Sequence, residues 1–484
     1  MRRNIRLVST YPPRRCGIGT FSRDLASALA HFTGEVGNIR VAAIDREGLR
    51  YNLPVDIVIN QYDPESWADA TRAVVARAHE AQHPTIILLQ HEYGLDPDPQ
   101  GHDGEGSNFV NLARACGEAG LTRLVYLHTV LDDPDEHQKE TVHQLARCSD
   151  GLVVTTENAI ETLARIYGIE RNKLKHIDHG IRMEHPSQHD RLVIKDSLGL
   201  KGFFLATTVG MLSPDKGIQY AIEGYGRFLN TSLTESQRRQ IIYLVAGRCH
   251  PEFMRVEGGG PYREYKALLE GALDRTGLRW CNVKNLRAVD YAEHDVVFLD
   301  TFLDEVTLLR LYAATNAMLL PYLNMQQISS GILADTLGSG RVAVSTKFKY
   351  ALELIHSNRR CPPGVVIGRH ARGILVDPAE PDQIAEALDY LVFHCDRRLQ
   401  IERQAHQRGY QMRWQNSAWA VLQHVDFLQE QKRLLTGRGV RFKRERPCVF
   451  HKIRRATPWE NGTAQNELVT QAAEVVSAVR VKET

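Results

Sequence analysis

The chain has 484 residues, 43% hydrophobic and 24% charged, with a formal net charge of +2. That length exceeds what one hydrophobic core serves and predicts two domains. The balanced charge gives no global pull toward nucleic acid or acidic partners, and no apolar run approaches the ~20 residues that span a bilayer.

The opening MRRNIRLVST has an apolar run too short for a secretory signal and reads as a first strand. The eight cysteines (16, 116, 148, 249, 281, 361, 395 and 448) show no CxxC pair, a pattern of reduced cytoplasmic thiols rather than disulfides or zinc. The sequon at Asn461 then reads as accidental.

Aliphatic runs predict strands at Asn4–Ser9, Arg40–Ile44, Val55–Asn60, Thr85–Gln90, Arg123–His128, Leu152–Thr155 and Leu174–Asp178. Helical patterns at Phe21–His31, Ser66–Ala81 and Ala159–Tyr167 separate several of them, as in parallel βαβ units. A polar, aperiodic linker is expected near Met183–Arg191. The order then restarts, with strands at Phe203–Val209, Ile241–Ala246, Val296–Leu299, Ala317–Leu320, Val342–Ser345 and Gly373–Val376. Helices are expected at Lys216–Phe228 and Pro381–Phe393. A long helix at about 412–434 offers Trp414, Trp419, Leu422 and Phe427 as anchors. The basic stretch after it reads as a solvated tail or as a contact for anionic lipid or another polyanion. The expected domains are 1–187 and 192–410, then a helix over 411–434 and a tail over 435–484.

Chemistry-bearing residues gather at strand ends. Gly17 and Gly19 precede a helix, where backbone amides can approach a sugar or phosphate. Ser22 stands where a dinucleotide fingerprint needs its third glycine, so Asp45 is a poor ribose acid and a nicotinamide cofactor is not expected. His91-Glu92 and His128 close two further strands, facing the ligand crevice of an open sheet. Lys216 follows Gly210-Met-Leu-Ser-Pro-Asp near a helix N-terminus, where an anion would bridge the lysine and the helix dipole. Gln327, Ser329, Ser330, Gly331 and Asp335 lie between two buried strands, a set of hydroxyls, amide and carboxylate suited to a polyhydroxylated ligand. Asp96-Pro-Asp98 and Asp133-Pro-Asp135 read as turns rather than metal sites, and Gly258 to Pro261 as a flexible loop.

Taken together, TYPPRRCGIGTFSRDL, QHEYG, LHT, DHGI, LSPDKGI, AGRCHPE and QISSGILADTLGSGRVAVST resemble, in order over residues 4 to 425, a retaining glycosyltransferase of family 4. The resemblance implies an α/β GT-B fold, with two Rossmann-like doubly wound domains facing a central cleft. It implies transfer of a hexose from a GDP-mannose or UDP-glucose type donor to a carbohydrate, polyol or lipid-linked hydroxyl acceptor. No cofactor or obligatory metal and no nucleic acid are expected, and the location would be cytoplasmic, with the tail offering peripheral membrane contact.

By the same resemblance, Gly17 and Gly19 would line the diphosphate and acceptor side, and His128 would face the transferred sugar. Lys216 would neutralise the departing diphosphate, Gln327 would meet sugar hydroxyls, Ser329, Ser330 and Gly331 the phosphates, and Asp335 the ribose. Two departures stand out. Met211 replaces the family's arginine, making Arg248, or less readily Arg14 or Arg15, the candidate substitute. Gln327 replaces an acid and cannot stabilise cationic charge. Competing readings are a catalytically weak sugar-nucleotide binder and another GT-B enzyme, an epimerase or phosphorylase.

Overall fold

The computed structural model describes residues 3–33, 38–97, 106–182, 188–249, 260–356 and 361–435. Of the tail only residue 435 falls within them, so Asn461, Cys448 and the basic stretch lie outside, as do Asp98 and residues 183–187. The chain divides into two compact units, Met1–Gln431 and Lys432–Thr484. Both sheets belong to the first.

The first sheet comprises β1 (Asn4–Ser9), β2 (Ile39–Asp45), β3 (Val55–Asn60), β4 (Thr85–His91), β5 (Thr122–Leu127), β6 (Gly151–Val154) and β7 (Leu174–His176). Its spatial order is β3-β2-β1-β4-β5-β6-β7. The second comprises β8 (Phe204–Val209), β9 (Ile241–Ala246), β10 (Trp280–Val283), β11 (Val296–Leu299), β12 (Ala317–Leu320), β13 (Val342–Thr346) and β14 (Gly373–Val376), in the order β10-β11-β9-β8-β12-β13-β14. Every pairing is parallel. Central strands such as β4, β5 and β9 are buried along their whole length, which is why they read as unbroken aliphatic runs.

Helices of eight residues or more cover the sheets: α1 (Gly17–Thr33), α2 (Pro64–Glu80), α3 (Ser107–Glu118), α4 (Glu136–Cys148), α5 (Glu157–Arg165), α6 (Gln188–Ser197) and α7 (Ile218–Ser232). They continue with α8 (Gly260–Thr276), α9 (Glu305–Ala314), α10 (Gly331–Gly338), α11 (Pro381–Phe393), α12 (Cys395–Gln411) and α13 (Trp414–Leu435). No helix among the described residues is long and apolar enough to cross a membrane.

Several expectations need correction. Helix α1 begins at Gly17, opened by the bond from Thr20 N to Cys16 O (3.1 Å), so both glycines sit in its first turn. Orphaned amides are normal there, and glycine costs little. Residues 188–191, expected as linker, form the first turn of α6, and Gly260 and Pro261 open α8 instead of extending a loop. In α13 the buried stripe is Trp414, Ala418, Val421, Leu422, Val425 and Leu428, while Trp419 and Phe427 face outward. The helical period puts those two aromatics on the wrong side. Asp135 caps α4 in a capping box with Gln138, and Asp96 accepts from Asn108 Nδ2 and Phe109 N, so both acids serve turns. Asp45 is consumed by its own loop, accepting from Leu49 N and the Tyr51 hydroxyl.

Each sheet reverses its winding once, between β1 and β4 and between β8 and β12. Such switch points open the crevice beyond the strand C-termini where open α/β sheets bind ligands. The loops after these four strands carry most of the predicted site.

Candidate functional site

In the second sheet, Gly210 ends β8 and the chain turns through Pro214–Lys216 into Gly217, whose left-handed φ of 62° precedes α7. Lys216 therefore stands just before the helix. A Cβ at Gly217 would meet Pro321 O at 2.1 Å, and Leu323 N donates to Asp215 O at 2.7 Å. The loops after β8 and β12 are thus packed backbone on backbone. Lys216 Nζ lies 4.0 Å from the Tyr322 ring centroid and 3.9 Å from Asp215 Oδ2. Its ammonium is held over the ring, with the Asp215 carboxylate at the outer edge of ion-pair range.

Beyond Tyr322 the loop turns into α10. Gln327 Nε2 donates to Ser329 O at 2.6 Å, stiffening the loop that carries Ser329. Ser330 caps α10, its hydroxyl accepting from Leu333 N at 3.3 Å. Gly331, the first helical residue, faces the His179 imidazole, with 3.6 Å from an ideal Cβ position to the ring. Its amide stands at the positive end of the helix dipole.

Asp335 is placed differently from the expectation of a free ribose acid. Arg182 donates to it from Nη2 (2.9 Å) and from the backbone amide (3.2 Å), leaving the carboxylate 3% exposed. Arg182 Nε also lies 3.3 Å from Asp24 Oδ2 on α1, and Arg23 joins Asp24 to Glu305 on α9. Burial opposes the Arg182 charge, but Asp335 and Asp24 outweigh it and raise its pKa. The buried Tyr312 hydroxyl beside this pair has no hydrogen-bond partner among the described residues.

The first sheet contributes a less charged wall. His128 follows β5, its Nε2 2.8 Å from Gln90 Oε1 and its ring edge-on to Phe21. Burial first, then His179 and His91, push it down to about 3, so it is a neutral imidazole. His91 is buried and held down to about 4 by desolvation, which suits a packing histidine beside Tyr93 and Phe109. Glu92 accepts from the Thr129 hydroxyl (2.8 Å) and Tyr93 N (3.0 Å), and burial pushes its carboxyl up to about 7. Gly17 has open space where a side chain would stand. Gly19 instead lies against Tyr11 N, Arg14 O and Thr10 Oγ1, so its missing Cβ serves the turn itself.

The two walls meet through several contacts. Asp132 N donates to Gln326 Oε1 (2.8 Å), the Thr155 hydroxyl to Ile328 O (2.9 Å), and Glu353 caps the amides of Glu157 and Asn158. Phe21 on α1 stacks edge-on against both His128 and His179. The candidate arginines part company here. Arg14 is buried and donates to Ile44 O, and Arg15 lies over the Phe302 ring. Arg248 touches the β8 loop through its backbone (Leu212 N to Arg248 O, 2.8 Å), while its half-exposed side chain points to Asp300 at 3.7 Å.

Sequence reasoning missed His179, Arg182 and Asp24, and saw Gln326 only as one more polar residue of the loop after β12. Their signal is weak, because each acquires meaning only through a partner more than 140 residues away. Among the described residues no group of three His, Cys, Asp or Glu is arranged to hold a metal ion.

No family model matches the sequence, and a search of curated proteins finds no match. Solved structures do match. HepE of Anabaena in complex with UDP shares 15% identity over 87% of this chain and 99% of its own, with a TM-score of 0.62. A glycosyltransferase of Rickettsia africae shares 10% over 89% and 100%, also at 0.62. A UDP-forming trehalose-phosphate synthase of Burkholderia xenovorans shares 13% over 88% and 99%, at 0.60. At these identities the likeness is one of fold, and that fold is GT-B: two Rossmann-like domains facing a cleft, followed by a C-terminal helix.

Proposed function

We propose that this chain is a retaining hexosyltransferase of the family-4 type. It takes a sugar from a nucleoside diphosphate donor, passes it to a hydroxyl acceptor, and needs neither cofactor nor obligatory metal. The observation that carries this reading is the shared wall formed by the loops after β8 and β12. It puts the Lys216 ammonium, seated over Tyr322 with Asp215 at 3.9 Å, and the opening amides of α10 on one packed surface. Neighbours determined with UDP and with UDP-glucose support a uridine donor as the first to test, and GDP-mannose is the second.

The chemistry follows from charge. As the C1–O bond to the diphosphate lengthens, negative charge collects on the departing oxygen and positive charge on the sugar ring. Lys216, the Gly331 amide and the α10 dipole stabilise the first, fixed in place before reaction. A departing phosphate oxygen takes the acceptor's hydroxyl proton on the same face while the new C1–O bond forms, so configuration is retained without an enzymic nucleophile. Gln327 keeps the phosphate loop in shape and offers its remaining amide capacity to sugar hydroxyls. Neutral His128 supplies a hydrogen-bonding edge for the sugar, and Glu92 faces the acceptor side. Gly17 leaves room for ligand at the mouth of α1, and Asp335 meets the ribose once Arg182 yields. The acceptor is a carbohydrate, polyol or lipid-linked glycan, handled in the cytoplasm, with the basic tail available to an anionic membrane.

Lys216→Ala should cut turnover about 10²–10³-fold with an unchanged melting profile. Wild-type turnover in that variant would overturn the assignment. The Arg182–Asp335 pair, Met211 and Gln327 favour a second reading, a sugar-nucleotide binder without turnover. Saturable binding of UDP-glucose or GDP-mannose with neither transfer nor donor hydrolysis would decide for it.

A further inference from the structure

His179 stands where the first turn of α10, the aromatic face of α1 and the end of β5 converge. Its Nδ1 lies 2.7 Å from Gly180 O, so that nitrogen carries the hydrogen and donates. Its Nε2 has no hydrogen-bond partner among the described residues and looks toward Gly331, 3.6 Å from the ideal Cβ position there. Phe21 packs edge-on at 5.1 Å between ring centroids, and Trp414 covers the ring at 5.6 Å.

We propose that His179 takes up a proton when a pyrophosphate docks on the Ser329–Gly331 loop, so that an imidazolium supplies the second cation that Met211 does not. The inference rests on the functional reading above.

A second positive charge is otherwise hard to find. Arg14 is tied to Ile44 O, Arg15 to Phe302, Arg248 to Asp300, and Arg182 to Asp335 and Asp24. The charged and titratable groups facing His179 are Asp335 from α10, Arg182 and Asp178 from its own segment, and His128 from the end of β5. They oppose one another: Asp335 and Asp178 favour the imidazolium, Arg182 disfavours it, and Asp178 is itself engaged by Arg408 at 2.6 Å. Burial is the largest influence and keeps the empty-site imidazole neutral, below its usual pKa.

In that state Nε2 presents a lone pair, which repels a phosphate oxygen. Addition of one solvent proton turns the same atom into a charge-assisted donor, and no bond in the ligand changes. Ligand affinity and proton affinity then rise together.

Calorimetric titration of wild-type protein with UDP-glucose, in two buffers of different ionisation enthalpy at pH 7, tests this. The sugar ester has no phosphate group titrating near neutrality, so any proton taken up belongs to the protein. The expected result is uptake approaching about one proton, with affinity weakening about ten- to hundredfold from pH 6 to pH 8. His179→Phe keeps a ring against Phe21 and Trp414, and should bind about tenfold more weakly at pH 6 with a flat pH profile. Saturable binding without proton uptake would overturn the inference, as would equal uptake by wild type and variant, which assigns the proton to a group such as Glu92. If that variant does not fold, His179→Asn takes its place in the same titration, with the same expected loss of proton uptake. Absence of binding by both UDP-glucose and GDP-mannose would overturn the functional reading itself, and this inference with it.

Discussion

Glu92 is a partly buried carboxyl group in the first lobe and Asp335 a buried one in the second, and they are kept in different ways. Asp335 is held by a guanidinium and a backbone amide of Arg182. Glu92 has only a hydroxyl and an amide, and burial pushes it up to about 7. A buried acid beside a cation becomes a strut. A partly buried acid without one is poised to exchange a proton near neutrality. The second lobe thus carries a fixed, paired charge, and the first a proton-sensitive group.

Breaking the strut should give the larger effect. Arg182→Ala leaves Asp335 buried and unpaired, and should cost about 3–5 kcal/mol in denaturant unfolding. A loss below about 1 kcal/mol would place the pair in the solvated class instead.

The poised acid gives an intermediate effect with a defined sign. The Glu92 carboxyl titrates near 7 in the fold against an ordinary value of 4.5, so the fold prefers its neutral form. The penalty for ionising it begins above pH 4.5 and is complete above about pH 7. Glu92→Gln should therefore stabilise the protein by roughly 1–3 kcal/mol at pH 8 and leave it unchanged at pH 4. Equal stabilities of wild type and variant at pH 8 would remove Glu92 from the proton-sensitive class.

The smallest effect belongs to the rim. Arg23 and Glu305 pair across the lobes at 3.0 Å with side chains 32% and 44% exposed. Arg23→Ala should change stability by about 0–1 kcal/mol, an effect that fades in high salt. A larger, salt-insensitive loss would show that the rim shares the strut's role.

These contrasts were unevenly legible in the sequence. Strands β1, β3, β9, β11, β12 and β14 read to their exact ends, because aliphatic runs bounded by polar turns have one structural outcome. The edge strand β10 was missed: Trp280 and Asn282 point to solvent, and nothing in its composition separates it from a loop. Lys216 and the Ser329–Gly331 loop could be named as candidates from sequence because their chemistry is local to a strand end. The strut was not legible, because Arg182 and Asp335 are 153 residues apart: Asp335 read as a ligand acid and Arg182 drew no reading at all. Trp419 and Phe427 misled for the opposite reason, since hydrophobicity was weighed without the helical angle that sets which face is buried.

The last helix has a consequence of its own. Trp414, Val421, Val425 and Leu428 complete the same apolar cluster as Ile5, Leu7, Leu29 and Ile177, so the first lobe is finished by residues synthesised after both sheets. Until about residue 428 has emerged, that cluster lacks one wall, and a nascent or prematurely ended chain would present a greasy seam to its surroundings. Products ending before Trp414 should therefore aggregate more readily than the full chain, the cost of closing an early lobe with a late helix.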